Sequence, residues 1–133
     1  ADGAVWSWGW GAFGRLGHGD TQSQLEPKKV EALAGQGVVA VSAGDGHSLA
    51  IAADGAVWSW GLGAPGQLGH GDEQWQLLPR KVEALEGHRV VAVSAGGMHS
   101  LAITTDGAVW SWGWGYFGQL GHGDAQNQLL PRK

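Results

Sequence analysis

The stretch Asp2-Gly3-Ala4-Val5-Trp6-Ser7-Trp8-Gly9 decides the fold, because it returns at residues 54–61 and again at residues 106–113. Each copy lies 52 residues after the one before it, and no insertion or deletion breaks this period. Such regularity indicates that one supersecondary unit is copied along the chain. The sequence therefore predicts a fold of stacked or radially arranged units.

Composition narrows the class of protein. The chain has 133 residues, of which 43% are hydrophobic, enough for a buried core if the units close on one another. Its 25 glycines, 9 tryptophans and 15% charged residues favour short strands joined by tight turns over long helices. A formal charge of −4 offers no basic face for nucleic acid. The lack of cysteine excludes disulfides and thiolate metal sites, and it fits a reducing, intracellular compartment.

Each unit reads as four short strands. The first is the apolar run 38–44, and residues 47–51 follow as the second arm of a hairpin. The turn dipeptide Asp54-Gly55 then leads into a third strand at 56–60. After a glycine-rich connection, residues 79–85 are predicted to form the fourth strand, with proline and basic residues that suit a sheet edge. No apolar run reaches the roughly 18 residues needed to cross a bilayer, so no membrane partner is expected.

The pattern of conserved-looking glycines and apolar residues resembles one known family. The motif runs Asp-Gly-x-Val-x-x-Trp-Gly, Gly-Gln-Leu-Gly-x-Gly-Asp, Pro, Val-x-x-Leu, and Val-x-x-Val-x-x-Gly-x-x-His-Ser-Leu-Ala. It is carried by Asp54, Gly55, Val57, Trp60, Gly61, Gly66–Gly69, Gly71, Asp72, Pro79, Val82, Leu85, Val90, Val93, Gly96 and His99–Ala102. This arrangement is similar to the regulator of chromosome condensation (RCC1-type) repeat and spans nearly the whole chain.

The resemblance implies an all-β fold, a β-propeller of four-stranded antiparallel blades, usually seven in the family. The strand inventory assigns a half blade with third and fourth strands to residues 1–35 and a complete blade to 36–87. Residues 88–133 would form a blade truncated in its last strand. About two and a half blades fall short of the roughly 4–8 that close a propeller. We therefore expect either a fragment of a longer propeller or a homo-oligomer.

Three motifs resemble chemical sites but have simpler structural explanations. Gly9–Gly14 matches the dinucleotide-binding pattern, yet no helix follows to hold a pyrophosphate. His18-Gly19-Asp20 recurs in every unit and could ligate a metal, although an aspartate in such a turn usually accepts backbone N–H bonds. Asp45, His47 and Ser48 include the residue types of a hydrolytic triad, but their adjacency gives no reason to expect triad geometry. We expect no cofactor, no metal and no catalysis.

The paired tryptophans are predicted to be structural, because two residues that are two apart on a strand share a face. These residues are Trp6, Trp8, Trp58, Trp60, Trp110 and Trp112. His47 and His99 are predicted to hydrogen-bond between strands. A light-sensing alternative comes from the plant ultraviolet-B photoreceptor branch of the family, whose motif is Gly-Trp-Arg-His-Thr. The corresponding residues 44–48 and 96–100 lack both its tryptophan and its arginine.

Candidate interaction residues are the aromatic side chains that differ between otherwise copied units. They cluster in loops and comprise Trp10, Phe13, Trp75, Trp114, Tyr116 and Phe117. An aromatic residue in a polar loop is a plausible interface anchor, although an incidental exposed tryptophan is an equally good explanation.

The sequence favours a non-enzymatic propeller module that binds a protein partner or assembles with further copies of itself. One alternative, drawn from the family alone, is a guanine nucleotide exchange factor acting on a small GTPase. A second alternative is a designed or recently amplified structural repeat protein, since roughly three quarters of the positions in 2–53 are identical in 54–105. The fold does not decide between them.

Overall fold

The computed structural model describes residues 3–64, 66–115, 120–123 and 126–133. Ten strands lie within these residues: β1 (Trp6–Gly9), β2 (Gln24–Lys29), β3 (Val38–Ala43), β4 (His47–Ala52), β5 (Val57–Gly61), β6 (Gln76–Lys81), β7 (Val90–Ala95), β8 (His99–Thr104), β9 (Val109–Gly113) and β10 (Gln128–Arg132). Short 3-10 turns occur at Ala12–Gly14, Glu31–Leu33 and Glu83–Leu85. Within the described ranges, no helix has the length and apolar character needed to span a membrane.

The strands form three antiparallel sheets in which neighbours in space are neighbours in sequence. Blade one contains β1 and β2, blade two contains β3 to β6, and blade three contains β7 to β10. The predicted all-β architecture is confirmed: the molecule is a partial β-propeller of about two and a half four-stranded blades.

The turn between β4 and β5 shows how local sequence sets the sheet register. Asp54 accepts the Ala56 N–H through Oδ1 at 2.9 Å, and Gly55 has a φ of +86°, which favours glycine. The tight turn places Ile51 opposite Val57, and the pairing continues without a shift to His47 opposite Gly61. The Asp-Gly turn thus fixes the register between the two strands, so that each buried residue of β5 lies opposite one defined residue of β4.

The fourth strand differs from its predicted position. Strand β6 begins at Gln76 and ends at Lys81, whereas Glu83–Leu85 turns away as a 3-10 helix. Strand β6 pairs only with β5, so the N–H groups on its outer edge have no partner strand. Proline, which lacks an N–H, is therefore tolerated at position 79. Strand β10 likewise contains a proline, Pro131. It is one residue shorter than β6.

The hydrophobic core lies between blades rather than inside one of them. Between blades one and two it contains Val30, Leu33, Ala50 and Trp60. Between blades two and three it contains Leu49, Ile51, Val57, Val82, Leu85, Val90, Ala102 and Trp112. Val82 and Leu85, expected on a strand, instead anchor the turn that follows β6 into this second core.

A recurring polar contact joins consecutive blades. The Arg15 carbonyl accepts two hydrogen bonds from blade two, one from Trp60 Nε1 and one from Ser48 Oγ, both at 2.9 Å. The same contacts recur 52 residues later at 2.8 Å, between the Gln67 carbonyl and the side chains of Trp112 and Ser100. We call this arrangement the blade joint.

Glycine makes the blade joint possible. A Cβ atom on Gly17 would lie 2.8 Å from Trp60 Nε1, and one on Gly69 would lie 2.9 Å from Trp112 Nε1. Both distances are shorter than van der Waals contact, so each indole lies directly on a glycine backbone. Glycine is therefore required at positions 17 and 69 by the close approach between blades.

Candidate functional site

The paired tryptophans occupy three different environments. Trp60 and Trp112 are buried in the blade joints, whereas Trp58 and Trp110 are half-buried beside them. Trp6 and Trp8, expected in the core, are instead 54% and 59% exposed. The physical reason is that each buried indole rests on the blade before it, and the described residues include none before blade one.

His47 belongs to the second blade joint. Its Nε2 lies 2.9 Å from Ser100 Oγ, while the single Ser100 hydroxyl proton is donated to the Gln67 carbonyl at 2.8 Å. Since that hydroxyl must accept from the ring, His47 carries a proton on Nε2. Burial, reinforced by the nearby charge that His99 can carry, lowers the pKa of His47 from 6.5 to about 4. His99 itself is half-buried on β8.

The repeated His-Gly-Asp segments are held by hydrogen bonds within each blade. Ser7 Oγ donates to the Leu16 carbonyl at 2.7 Å and lies 2.9 Å from His18 Nε2. The same serine-centred pair of bonds recurs at His70 and His122. Asp20 accepts the Gln22 N–H at 3.1 Å. No group of three possible metal-ligating side chains lies together in the described part of the chain.

The histidine and serine of the triad-like segment form hydrogen bonds with different partners. Ser48 Oγ donates to the Arg15 carbonyl, and the His47 ring is engaged by Ser100 on the next blade. Ser48 and His47 are thus both used in blade joints. Their hydrogen bonds explain the residue types without chemistry on a substrate.

An aromatic cluster forms where the loops of blades one and two meet. The ring centroids of Trp10 and Phe13 are 6.3 Å apart, and Trp75 meets Phe13 edge-on at 5.0 Å and 87°. Trp10 is 66% exposed and Trp75 is 50% exposed. Together with Arg15, these residues form what we call the aromatic ledge. The ledge brings together three of the candidate residues identified from sequence.

Arg15 fixes the ledge to the blade beneath it. Its guanidinium carbon lies 4.3 Å from the Trp10 ring centroid and 5.2 Å from that of Phe13, which is cation–π geometry. Its Nε donates to the Ala12 carbonyl at 2.9 Å, and its Nη1 donates to the carbonyl of Asp45. Sequence reasoning missed Arg15, although a signal was present: glutamine occupies the matching positions 67 and 119.

Phe13 adopts an unusual backbone conformation. Its φ is +66° and its ψ is 4°, in the left-handed region that disfavours residues with a Cβ. It is the one non-glycine residue with positive φ among the described residues. Such strain persists where surrounding contacts enforce it, and it is frequent at functional sites.

Trp75 replaces a residue that has a structural task in the other two blades. Ser23 Oγ accepts the Gly11 N–H at 3.1 Å, and Asn127 Oδ1 accepts the Gly115 N–H at 2.9 Å. An indole has no acceptor atom, so Trp75 cannot bond Gly63 in this way. Blade two has exchanged a loop-closing hydrogen bond for an exposed aromatic ring, a change that packing inside the blade does not explain.

The remaining described candidate, Trp114, lies on blade three. Trp114 is half-buried at the end of β9, where its backbone N–H donates to the Met98 carbonyl at 2.8 Å. Tyr116 and Phe117 lie outside the described residues.

Comparison with known proteins identifies relatives over nearly the whole chain. The chain is 46% identical over 129 residues to the ultraviolet-B receptor UVR8 of Arabidopsis thaliana, covering 97% of this chain and 29% of the receptor. It is 44% identical over 135 residues to the E3 ubiquitin-protein ligase HERC2 of Homo sapiens, covering all of this chain and 3% of the ligase. The chain thus spans under a third of the receptor and a small part of the ligase.

Solved structures agree with this relationship. Human WBSCR16 superimposes with a TM-score of 0.88 at 30% identity, over 98% of this chain and 33% of that one. Prp20p of Saccharomyces cerevisiae, described with its binding to Gsp1p and histones, superimposes with a TM-score of 0.86 at 26% identity, over 96% of this chain and 33% of Prp20p. The model of the regulator of chromosome condensation (RCC1) repeat matches residues 2–51, 54–103 and 106–133. The chain therefore belongs to the RCC1 repeat family.

Proposed function

We propose that the chain is a non-enzymatic propeller module that binds a protein partner through the aromatic ledge. The observation that carries this proposal is the replacement of a loop-closing serine or asparagine by Trp75. Exposed aromatic rings held rigidly at a surface are favoured anchors of protein interfaces, because they bury a large area at little cost in conformational entropy. Prp20p, a family member, binds other proteins, which supports the same class of function.

Site-specific photo-crosslinking tests the proposal. A photoreactive phenylalanine placed at position 75 lies before the start of β6, whereas one at position 84 lies beyond its end, on the opposite side of the blade. We expect a protein to crosslink from position 75 but not from position 84. Excess unmodified chain should compete for that partner, and the Trp75→Ser chain should not. Equal crosslinking from both positions, or equal competition by both chains, contradicts the proposal.

A second candidate function is assembly with another copy of the chain, favoured by the geometry of the blade joint. Trp8 corresponds to the joint residues Trp60 and Trp112 but is exposed, and no atom of the described residues lies within 4 Å of a Cβ added to Gly121, which corresponds to Gly69. In a further joint, Trp8 would supply the indole and Gly121 the glycine on which it packs. Sedimentation at increasing concentration tests this: Trp8→Ala should weaken association, whereas Trp75→Ser should not. A chain that remains monomeric throughout excludes assembly from copies.

A further inference from the structure

Blade two differs from its neighbours by two side chains in one short segment. Residues 73–75 read Glu-Gln-Trp, whereas the matching segments read Thr-Gln-Ser at 21–23 and Ala-Gln-Asn at 125–127. The central glutamine is retained, and the residues on both sides of it have changed. The change therefore adds one carboxylate and one indole to the same loop.

The backbone of this loop is anchored, so the two new side chains have a defined position. Asp72 Oδ1 accepts the Gln74 N–H at 3.1 Å, as Asp20 does for Gln22 in blade one. The Gln74 carbonyl packs directly on Gly63, where an added Cβ would overlap it. Only Gln74 separates Glu73 from Trp75, which limits the distance between their Cα atoms to about 7 Å. Both side chains are exposed on this fixed frame.

A carboxylate beside an exposed aromatic face is suited to binding a cation. The carboxylate attracts an ammonium or guanidinium group by charge, and the indole attracts it through its ring quadrupole. The ledge already contains one such contact, because Arg15 covers Trp10 at 4.3 Å. At the other end of the ledge, no described cation covers Trp75, and no described ion pair engages Glu73.

We propose that Glu73 and Trp75 bind a lysine or arginine side chain on an exposed segment of the protein partner, an inference that rests on the proposed interaction function. Charge complementarity favours this occupant, since the chain carries a formal charge of −4. Phe13 meets Trp75 edge-on at 5.0 Å and supplies apolar surface for the methylene stem behind the cationic group. The partner segment is therefore basic, with its cation directed between the Glu73 carboxylate and the Trp75 ring.

Peptide titration followed by NMR tests the inference. The probes are matched short peptides that carry lysine, arginine, glutamine or glutamate at the same positions, together with a neutral proline-rich peptide. The indole N–H signal of Trp75 is assigned by its loss in Trp75→Ser. We expect the lysine and arginine peptides to shift this signal, with binding that weakens as salt is added. The glutamine, glutamate and proline-rich peptides should leave it unmoved.

Variants that restore the sequence of blade one provide matched controls. Glu73→Thr and Trp75→Ser should each weaken binding of the lysine peptide by about two- to fivefold, and the double variant by about five- to twentyfold. Trp58→Phe, far from the loop in sequence and half-buried on β5, should leave the affinity unchanged.

The outcomes separate this inference from the proposed function. Equal binding of the lysine and glutamine peptides, or unchanged affinity in the double variant, overturns the inference. Binding of the proline-rich peptide at Trp75 in place of the basic ones assigns the ledge to an apolar occupant and also overturns it. If a partner still crosslinks from position 75 in either case, the interaction function stands without the cation site. Loss of that crosslink removes both.

Discussion

Acidification should destabilise the blade joint through His47, whose side chain is fully buried. Its pKa is about 4 in the folded chain against 6.5 for the ordinary group, so the unfolded chain binds the additional proton between these values. Stability is therefore greatest above pH 6.5 and falls as the pH is lowered toward 4. A difference of this size corresponds to a loss of about 2 kcal/mol between pH 7 and pH 5, and about 3 kcal/mol when titration is complete.

Urea unfolding followed by tryptophan fluorescence at pH 7, 6 and 5 measures this loss. His47→Gln retains an N–H that can donate to Ser100 but does not titrate, so its stability should depend less on pH by about 2 kcal/mol over this range. Ser94→Ala, which alters a residue on the exposed face of β7 that does not titrate, should keep the wild-type dependence. His70, whose pKa is also lowered to about 4 mainly by burial, adds a slope of the same sign to all three proteins, so it does not affect their comparison. Identical pH dependence in wild type and His47→Gln would refute the assignment.

Three further predictions concern stability and are measured by the same urea assay at pH 7. Trp75→Ser should change stability by less than about 1 kcal/mol, because the bond that serine can accept from the Gly63 N–H, as Ser23 accepts that of Gly11, offsets the lost edge-on contact with Phe13; a clear loss of stability would contradict this role. Gly69→Ala should cost about 1–3 kcal/mol more than Gly87→Ala, since both glycines have positive φ but only a Cβ at Gly69 meets the Trp112 indole; equal costs would show that the indole moves freely. Ser59→Ala removes the hydroxyl between the Leu68 carbonyl and His70 and should cost about 1–3 kcal/mol, whereas Ser94→Ala on the exposed face of β7 should cost little; similar costs would exclude a structural role for the hydroxyl.

The fold could be predicted from the sequence because every blade repeats the same turn and strand signals. Asp54-Gly55 sets one hairpin, and the alternation in β5 directs Trp58 and Trp60 to the preceding blade. The predicted fourth strand starts too late because Pro79 and the basic residues after it suit the start of a strand at a sheet edge, whereas Pro79 lies inside β6. Val82 and Leu85 are buried by a 3-10 turn between blades, a tertiary contact that the local pattern does not reveal.

The candidate site was only partly predictable. Trp10, Phe13 and Trp75 could be identified because they differ between copied blades, but their distances depend on how blade one meets blade two. Arg15 carried the same sequence signal and was missed because an arginine in a glycine-rich loop is unremarkable without its neighbours. The significance of Trp75 also required structure, since only the bonds of Ser23 and Asn127 show what the indole replaced.

The blade joint has a further consequence for how such a chain can vary. Its acceptor is a main-chain carbonyl, so these hydrogen bonds do not depend on the identity of the side chain at that position, which is arginine at 15 and glutamine at 67. The donors to this carbonyl, in both described joints, are side chains of the following blade. The connection is therefore directional: the preceding blade supplies a backbone carbonyl, and the following blade supplies an indole N–H and a hydroxyl. A unit inserted in the reverse orientation could not form these bonds, whereas an exposed side chain at the acceptor position, as at Arg15, can change without loss of the joint's hydrogen bonds.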